Sequence, residues 1–546
     1  MDFEALATGC RSSAFRETLN ALHVWTQAAD TITTIIKQLQ EQIKSVASAK
    51  NADAYDHTID TTDESESGLG YTLRVDGKNI TAETIQSDFS PPRLEILDVG
   101  QSSAQIEALT MVFRFLRNAC VACTSNQTMC LDAGLIKLAH QTTMHCCAWI
   151  DVEDEQLIAQ FVLLAQVALQ FSVNAVTSNF KCQAAAWKLY FFDDFQKILV
   201  ECHQYRKVIA YAVALLLNCV NSSERDYIDT EKVNTRRDDM VCARSLVITL
   251  LHRCMSKSSN SSESAASLLH SFDIDDQDPA FEWIYMLFAL HFRDGRVNDL
   301  YVAVSAHILS TLWSRVTPEQ LILLRMFSLW VTSTLKLNAT TNMHDGDFWH
   351  PLRQNTYEFV KTTWLYIVSE GDEDRPNEAD EMRKKVWIKL EYEAKLMLLD
   401  VLGDLTVDRT IIDAKSGAEL LQSLLLELER VWKLERQSPL IKNIRRDNST
   451  LPMPLDQEPI GYRSGLIRVI GNFSFRHVCN QDLVREGGFL PLFLNHCNID
   501  ERNPMIREWS LVALRNLCEG NEANQQYIEV LRPQNMDTVL SSASQK

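Results

Sequence analysis

Four side chains offer the most specific chemistry in this sequence. Cys120 and Cys123 have two residues between them and His140 and His145 have four, an order and inner spacing that approach a Cys2His2 zinc site. The central gap of 16 residues is wider than the usual gap of about 12. A packing role competes with the metal. Val112, Phe115, Leu116, Ala119, Cys120 and Cys123 recur at three- and four-residue steps on one helical face, where thiols serve as small core groups. Packing is the stronger expectation, and a zinc-binding helical protein is kept as the lesser alternative.

Other reactive residues point the same way. Cys202 with His203, His496 with Cys497 and His477 with Cys479 set a thiol beside an imidazole. A nucleophile, however, needs a base aimed at it from elsewhere in the fold. Cys497 ends the apolar stretch FLPLFLNHC and reads as a buried structural thiol. Ser67-Gly68-Leu69-Gly70 lacks the lysine and the preceding strand of a phosphate loop. The acids at Asp273, Asp275, Asp276 and Asp278 put an aspartate where a calcium loop needs glycine. Arg445-Arg446 ahead of Ser449 make that serine a candidate phosphorylation site. No catalytic residue, metal or cofactor is expected.

The elements that carry these residues are expected to be helices. The 546 residues include only 17 Gly and 13 Pro, and chains poor in both make few tight turns. Lys+Arg 53 against Asp+Glu 72 leaves a net charge of −19. That balance argues against nucleic acid as a partner, since phosphate binding needs basic surface, and against an anionic membrane surface. Apolar runs such as 208–217 are too short to cross a bilayer, so no membrane insertion is expected. The opening MDFEALATGC lacks the layout of a secretory signal, and the 14 cysteines are expected as thiols in a reducing compartment.

Organisation follows from periodicity and composition. We expect an N-terminal helical segment at 1–46, a polar, acidic linker or long loop at 47–104, helical repeats over 105–436, a proline-containing linker at 437–460 and a final helical block at 461–536. Asp278 with Pro279, and Asn503 with Pro504, are expected to open helices as N-cap and first residue.

An internal repeat is the strongest signal. Asn-Gln occurs at 126, 480 and 524, each time eight residues after another asparagine, at Asn118, Asn472 and Asn516. A weaker copy surrounds Asn218. The last two strong copies are 44 residues apart, inside the armadillo and HEAT range of about 40–47. The expected fold is therefore an all-α, armadillo/HEAT-like α-solenoid of stacked helical repeats with one concave face. A row of asparagines on that face could pair with both groups of an extended peptide, although satisfying loose groups at helix ends is the commoner task. Peptide-capturing armadillo proteins place Trp one turn before the asparagine. Here Arg114, Ala214, Arg468 and Val512 stand there, which weakens the alternative of a karyopherin-like peptide or transport adaptor. Arg114 and Arg468, with Arg117 and Arg515, could instead form a basic inner strip for an acidic or phosphorylated segment. The candidate partner-binding residues are Asn118, Asn218, Arg468, Asn472, Arg515 and Asn516.

The stretch 463–533 resembles the C-terminal domain of the ataxin-10 family. Its most specific part is LNHCNIDERNPMIRE followed by ALRNLCEGNEANQ, where Cys497, Asn498, Asp500, Asn503, Pro504, Glu508 and Trp509 fit the family pattern. The copy around 115–138 is similar to the family's first repeats. The resemblance implies an armadillo-like scaffold without catalytic activity, acting through other proteins. It implies roles in neuronal survival and neurite outgrowth, in cytokinesis and at cilia. It implies partners that include the O-linked N-acetylglucosamine transferase and a G-protein β subunit, and a cytoplasmic site, perinuclear or at the centrosome, basal body or midbody. Solenoid ends expose apolar faces unless capped, so self-association is left open.

Overall fold

A computed structural model describes residues 1–19, 22–46, 73–75, 78–80, 93–221, 230–255, 274–305, 315–341, 346–369, 381–407, 414–437 and 458–531. The chain divides into two compact units, Met1–Arg236 and Arg237–Lys546.

The first unit begins with helices α1 (Phe3–Gly9), α2 (Ser13–Glu17) and α3 (Leu22–Gln42). Triplets follow, each a long helix and two shorter ones: α4 (Val99–Ala119), α5 (Thr124–Asp132) and α6 (Leu135–Trp149), then α7 (Glu155–Val176), α8 (Phe180–Tyr190) and α9 (Asp193–Glu201). The next long helix is α10 (Arg206–Val220), and α11 (Thr230–Cys242) crosses the division between the units. Four short strands accompany these helices: β1 (Ile43–Val46), β2 (Leu73–Val75), β3 (Lys78–Ile80) and β4 (Arg93–Ile96). β1 pairs antiparallel with β4, Ile43 opposite Ile96, and β2 with β3.

Asp98 opens α4 by accepting the Gln101 amide at 2.9 Å. The first repeat helix thus starts at Val99, inside the segment expected to be linker. A carboxylate at an N-cap satisfies an otherwise unpaired amide, and the polar run before it hid that signal.

In the second unit α12 (Arg244–Arg253), α13 (Phe281–Arg293) and α14 (Val297–Ala303) precede two pairs of long helices, α15 (Pro318–Thr341) with α16 (Gly346–Val368) and α17 (Glu381–Leu405) with α18 (Ala414–Gln437). The triplet form returns in α19 (Tyr462–Ser474), α20 (Val478–Glu486) and α21 (Leu490–Asn495), followed by α22 (Ile506–Cys518) and α23 (Glu522–Val530). The fold class is an all-α helical-repeat solenoid.

Long helices stack on the long helices of adjacent repeats, α7 between α4 and α10, and α22 on α19. Apolar side chains at helical spacing fill these seams: Phe113, Phe115, Phe161, Leu164 and Phe171 are fully buried in the first unit, and Leu466, Ile467, Ile470 and Leu517 in the second. By length and composition α7 is apolar enough to cross a membrane, which the count of uninterrupted apolar runs did not register. Helices α4, α6, α8 and α10 pack around it and bury most of it, the setting of a core helix.

Two expected helix starts are moved by tertiary contacts. α13 begins at Phe281, because Asp278 caps a preceding turn through the Ala280 amide and pairs with Arg253 at 2.6 Å. α22 begins at Ile506, after Met505 in the left-handed region at φ 63°. Most of the expected 47–104 linker, most of 437–460 with Ser449, Asp273, Ser67-Gly68-Leu69-Gly70 and the end of the final block lie outside the described residues.

Candidate partner-binding face

Each of the long helices α4, α7, α19 and α22 ends one or two residues after an asparagine, at 118, 174, 472 and 516. Four residues beyond that asparagine the backbone enters the left-handed region, at Ala122 (φ 48°), Ser178 (56°), Arg476 (51°) and Gly520 (73°). This sharp reversal brings the next helix back over the carbonyls that the long helix leaves unpaired.

The repeat asparagines use those carbonyls. Asn174 Nδ2 donates to Arg117 O at 2.9 Å, and Asn516 Nδ2 to Gly471 O at 3.0 Å. In each case the acceptor is the residue before the corresponding asparagine of the preceding repeat. Asn118 Nδ2 donates to Ala7 O of α1 at 3.0 Å. Asn472 Nδ2 donates to Gly403 O at 3.1 Å and to Thr406 Oγ1 at 3.0 Å. The Asn-Gln pairs complete the joint. Asn126, Asn480 and Asn524 each donate to the carbonyl seven residues earlier, at Ala119, Phe473 and Leu517. Gln127 Nε2 reaches forward to Asn174 O (2.8 Å) and Thr177 O (3.1 Å), as Gln481 Nε2 does to Asn516 O (2.8 Å) and Glu519 O (3.2 Å). Helix ends of adjacent repeats are therefore stapled in both directions.

Asn174 with Cys182 and Gln183 is a copy that sequence reading missed, because cysteine replaces the asparagine of the pair. Its signal was present: Asn174 precedes Asn218 by the same 44 residues. Gln183 Nε2 donates to Val176 O at 3.2 Å, the same seven-residue reach.

The six candidate partner-binding residues fall into different settings. Asn118, Asn472 and Asn516 are staple residues, and Asn516 is only 5% exposed. Asn218 turns its amide onto its own helix, donating to Ala214 O at 2.8 Å. Arg468 pairs with Asp404 at 2.5 Å, and its guanidinium lies 5.7 Å from the Trp509 ring centroid. Burial first, then the neighbouring Asp404, raises the Asp400 carboxyl, with Arg468 opposing both. The expected basic strip is thus neutralised at Arg468, leaving Arg515 exposed on α22.

The family-motif residues brace one repeat against the next. Asn503 Oδ1 accepts the Arg463 amide at 3.0 Å while its Nδ2 donates to Asp500 at 2.8 Å, and Ser464 Oγ donates to Pro504 O at 2.8 Å. Asn503 therefore holds the start of α19 instead of capping α22. Cys497 Sγ donates to Phe493 O at 3.3 Å and Asn498 to Asn495 O at 3.3 Å, both closing the end of α21. Glu508 is exposed in the first turn of α22, and Trp509 half-buried beside Arg468.

The zinc alternative fails on geometry. Cys120 Sγ faces Cys130 Sγ at 3.6 Å, Cys123 faces Ser125 at 3.4 Å, His140 meets Asp194 at 2.5 Å and His145 meets Gln40 at 3.1 Å. Among the described residues no group of three His, Cys, Asp or Glu side chains could hold a metal. The thiol–imidazole neighbours are also apart in role. Cys202 faces Cys147 at 3.4 Å, the His496 ring bonds Leu492 O at 2.7 Å, and His477 Nδ1 accepts the Asn480 amide at 3.2 Å as a helix cap. Burial pushes the Cys182 and Cys219 thiols up to about 12, away from the reactive thiolate.

Fold and site define the chain as a helical-repeat protein whose repeats are tied through asparagine and glutamine side chains. Residues 462–544 match the family model described as the spinocerebellar ataxia type 10 protein domain. Ataxin-10 of Xenopus tropicalis is 25% identical over 424 residues, covering 78% of this chain and 75% of its own. Ataxin-10 of Homo sapiens is 23% identical, covering 80% and 79%. The ataxin-10 homolog of Dictyostelium discoideum is 46% identical over 78 residues, 14% of this chain and 13% of its own. Residues 462–544 thus carry the domain of that family, and the chain is similar to ataxin-10 proteins along about four-fifths of its length.

Proposed function

We propose that this chain is a non-catalytic docking scaffold that holds other proteins against its stacked helices. The observation that supports this reading is the destination of the repeat amides. They are used to tie helix to helix, which stiffens the array and leaves its solvent-facing side chains to meet partners. A stacked-repeat surface of this kind suits extended contact with a macromolecule. The two partners implied by the family resemblance, the O-linked N-acetylglucosamine transferase and a G-protein β subunit, belong to the proposal. So do the cytoplasmic site and the roles in neurite outgrowth, cytokinesis and cilia.

The test is size-exclusion of the purified chain with each of those two proteins, alongside crosslinking of the chain in a cell extract. Co-elution with either at fixed stoichiometry supports the reading. Failure of both removes those partners, and a chain that stays uncrosslinked in the extract overturns docking itself.

A further inference from the structure

Several arginines of this acidic chain are matched to acids. Arg463 sits between Glu435 and Glu458, Arg468 on Asp404, and Arg253 on Asp278. Arg114 and Arg117 are different. They stand three residues apart near the end of α4, both half-buried, so their side chains are neighbours on one helical face. Among the described residues neither has a carboxylate partner. Arg114 Nη1 donates to the Met111 sulfur, at 3.4 Å. Arg117 is aimed by neutral acceptors, its Nε donating to Asn118 Oδ1 at 3.0 Å and its Nη1 to Gln170 Oε1 at 2.7 Å of the next long helix. Burial, and then the positive charge of Arg114, lower the proton affinity of Arg117.

Two like charges held side by side cost stability unless something else compensates them, and local costs of this kind gather at binding sites. We propose that Arg114 and Arg117 form a receptor for a phosphorylated serine or threonine on a partner protein, with Gln170 fixing the Arg117 fork. The choice of phosphate follows from charge: a phosphomonoester carries about −1.5 to −2, which two adjacent guanidiniums match, whereas one carboxylate leaves a positive charge over. The site rests on the docking reading above and names the chemistry of one contact within it.

The test uses the full chain on an array of synthetic 11-residue peptides, each in phosphothreonine, threonine and glutamate forms. Expected is retention of phosphothreonine peptides, about tenfold weaker or more for Arg114→Ala/Arg117→Ala, and weakening with salt. Arg117→Lys keeps the charge but loses the fork, and is expected to fall between the two. Should the double variant melt early, Arg114→Gln alone carries the comparison, since among the described residues that side chain's hydrogen bond is to the Met111 sulfur. Equal binding of threonine and phosphothreonine forms, equal binding of glutamate forms, or unchanged binding by a folded variant overturns the phosphate site. If the site fails while the chain still captures partners in extract, docking stands without it; if capture is also absent, both fall.

Discussion

Both amide hydrogens of Asn472 have partners, Gly403 O and Thr406 Oγ1, and this distinguishes a staple from a peptide-capturing asparagine. Asn516 and Asn218 test the distinction. Asn516→Ala removes the Nδ2 donor to Gly471 O of the neighbouring repeat, and a lost buried hydrogen bond costs about 1–3 kcal/mol. Asn218→Ala removes a bond to its own helix and places a strong helix former there, so a change within about 0.5 kcal/mol is expected. Amide hydrogen exchange around α19 and α22 against that around α10 measures the difference, and equal effects would refute the staple. Left-handed turns make a second residue-scale prediction. Ala122 and Ser178 occupy conformations that a β-carbon disfavours, at φ 48° and 56°, where Gly520 stands in the last copy. Ser178→Gly is expected to raise stability by about 0.5–1 kcal/mol in a thermal melt. The asparagine spacing was legible in the sequence; the carbonyls it meets were not, because they belong to residues as far away as Asn118 is from Ala7.

Helix seams depend on small residues and on one buried charge network. A β-carbon on Gly471 would lie 3.2 Å from the Ala513 β-carbon and 3.3 Å from its α-carbon, so α19 and α22 approach closely there. Gly471→Val is expected to destabilise this joint by about 1–3 kcal/mol, read as exchange of α22 amides before those of α17. Glu427 of α18 receives Lys395 of α17 at 3.1 Å, Arg430 at 2.6 Å and Tyr462 of α19 at 2.7 Å. Burial pushes the Glu427 carboxyl up, but the Arg430 hydrogen bond and the charges of Lys395 and Arg430 outweigh it and hold it down at about 2. Burial lowers Lys395 in spite of the same pairing. Glu427→Gln leaves Lys395 with reduced compensation and is expected to cost about 3–5 kcal/mol in chemical denaturation. Periodicity made these helices legible, whereas Glu427 reads in sequence as one more exposed acid. Its burial is decided by where α17 and α19 lie.

For the whole molecule, pH dependence follows from opposite kinds of buried group. His291 is fully buried and His496 nearly so, and burial lowers both below the ordinary 6.5. The unfolded chain takes up protons near 6.5 that the folded chain refuses, so this stability is complete above that pH and declines as pH falls through it. Glu427 adds a lower window: its contribution is present above about 4.5 and is lost as pH falls towards about 2. Melting temperatures are expected to fall from pH 7 to pH 5.5, with a shallower slope for His291→Asn; an unchanged slope assigns the effect elsewhere. A fragment beginning at Gly461 lacks α17, and with it Gly403, Thr406 and Asp404. It is expected to melt below a fragment beginning at 381, which keeps them. By itself the sequence determined the all-α class and the 44-residue period, because helical periodicity and repeat spacing are local properties of the chain, and its motif residues carried the resemblance to ataxin-10 proteins. Only the tertiary structure decided that the asparagines are staples, that Arg468 is neutralised while Arg114 and Arg117 are not, and that the four zinc-like residues have separate partners. Burial and pairing are set by helices that meet across tens of residues of chain, and spacing within one helix carries no record of what that helix will meet.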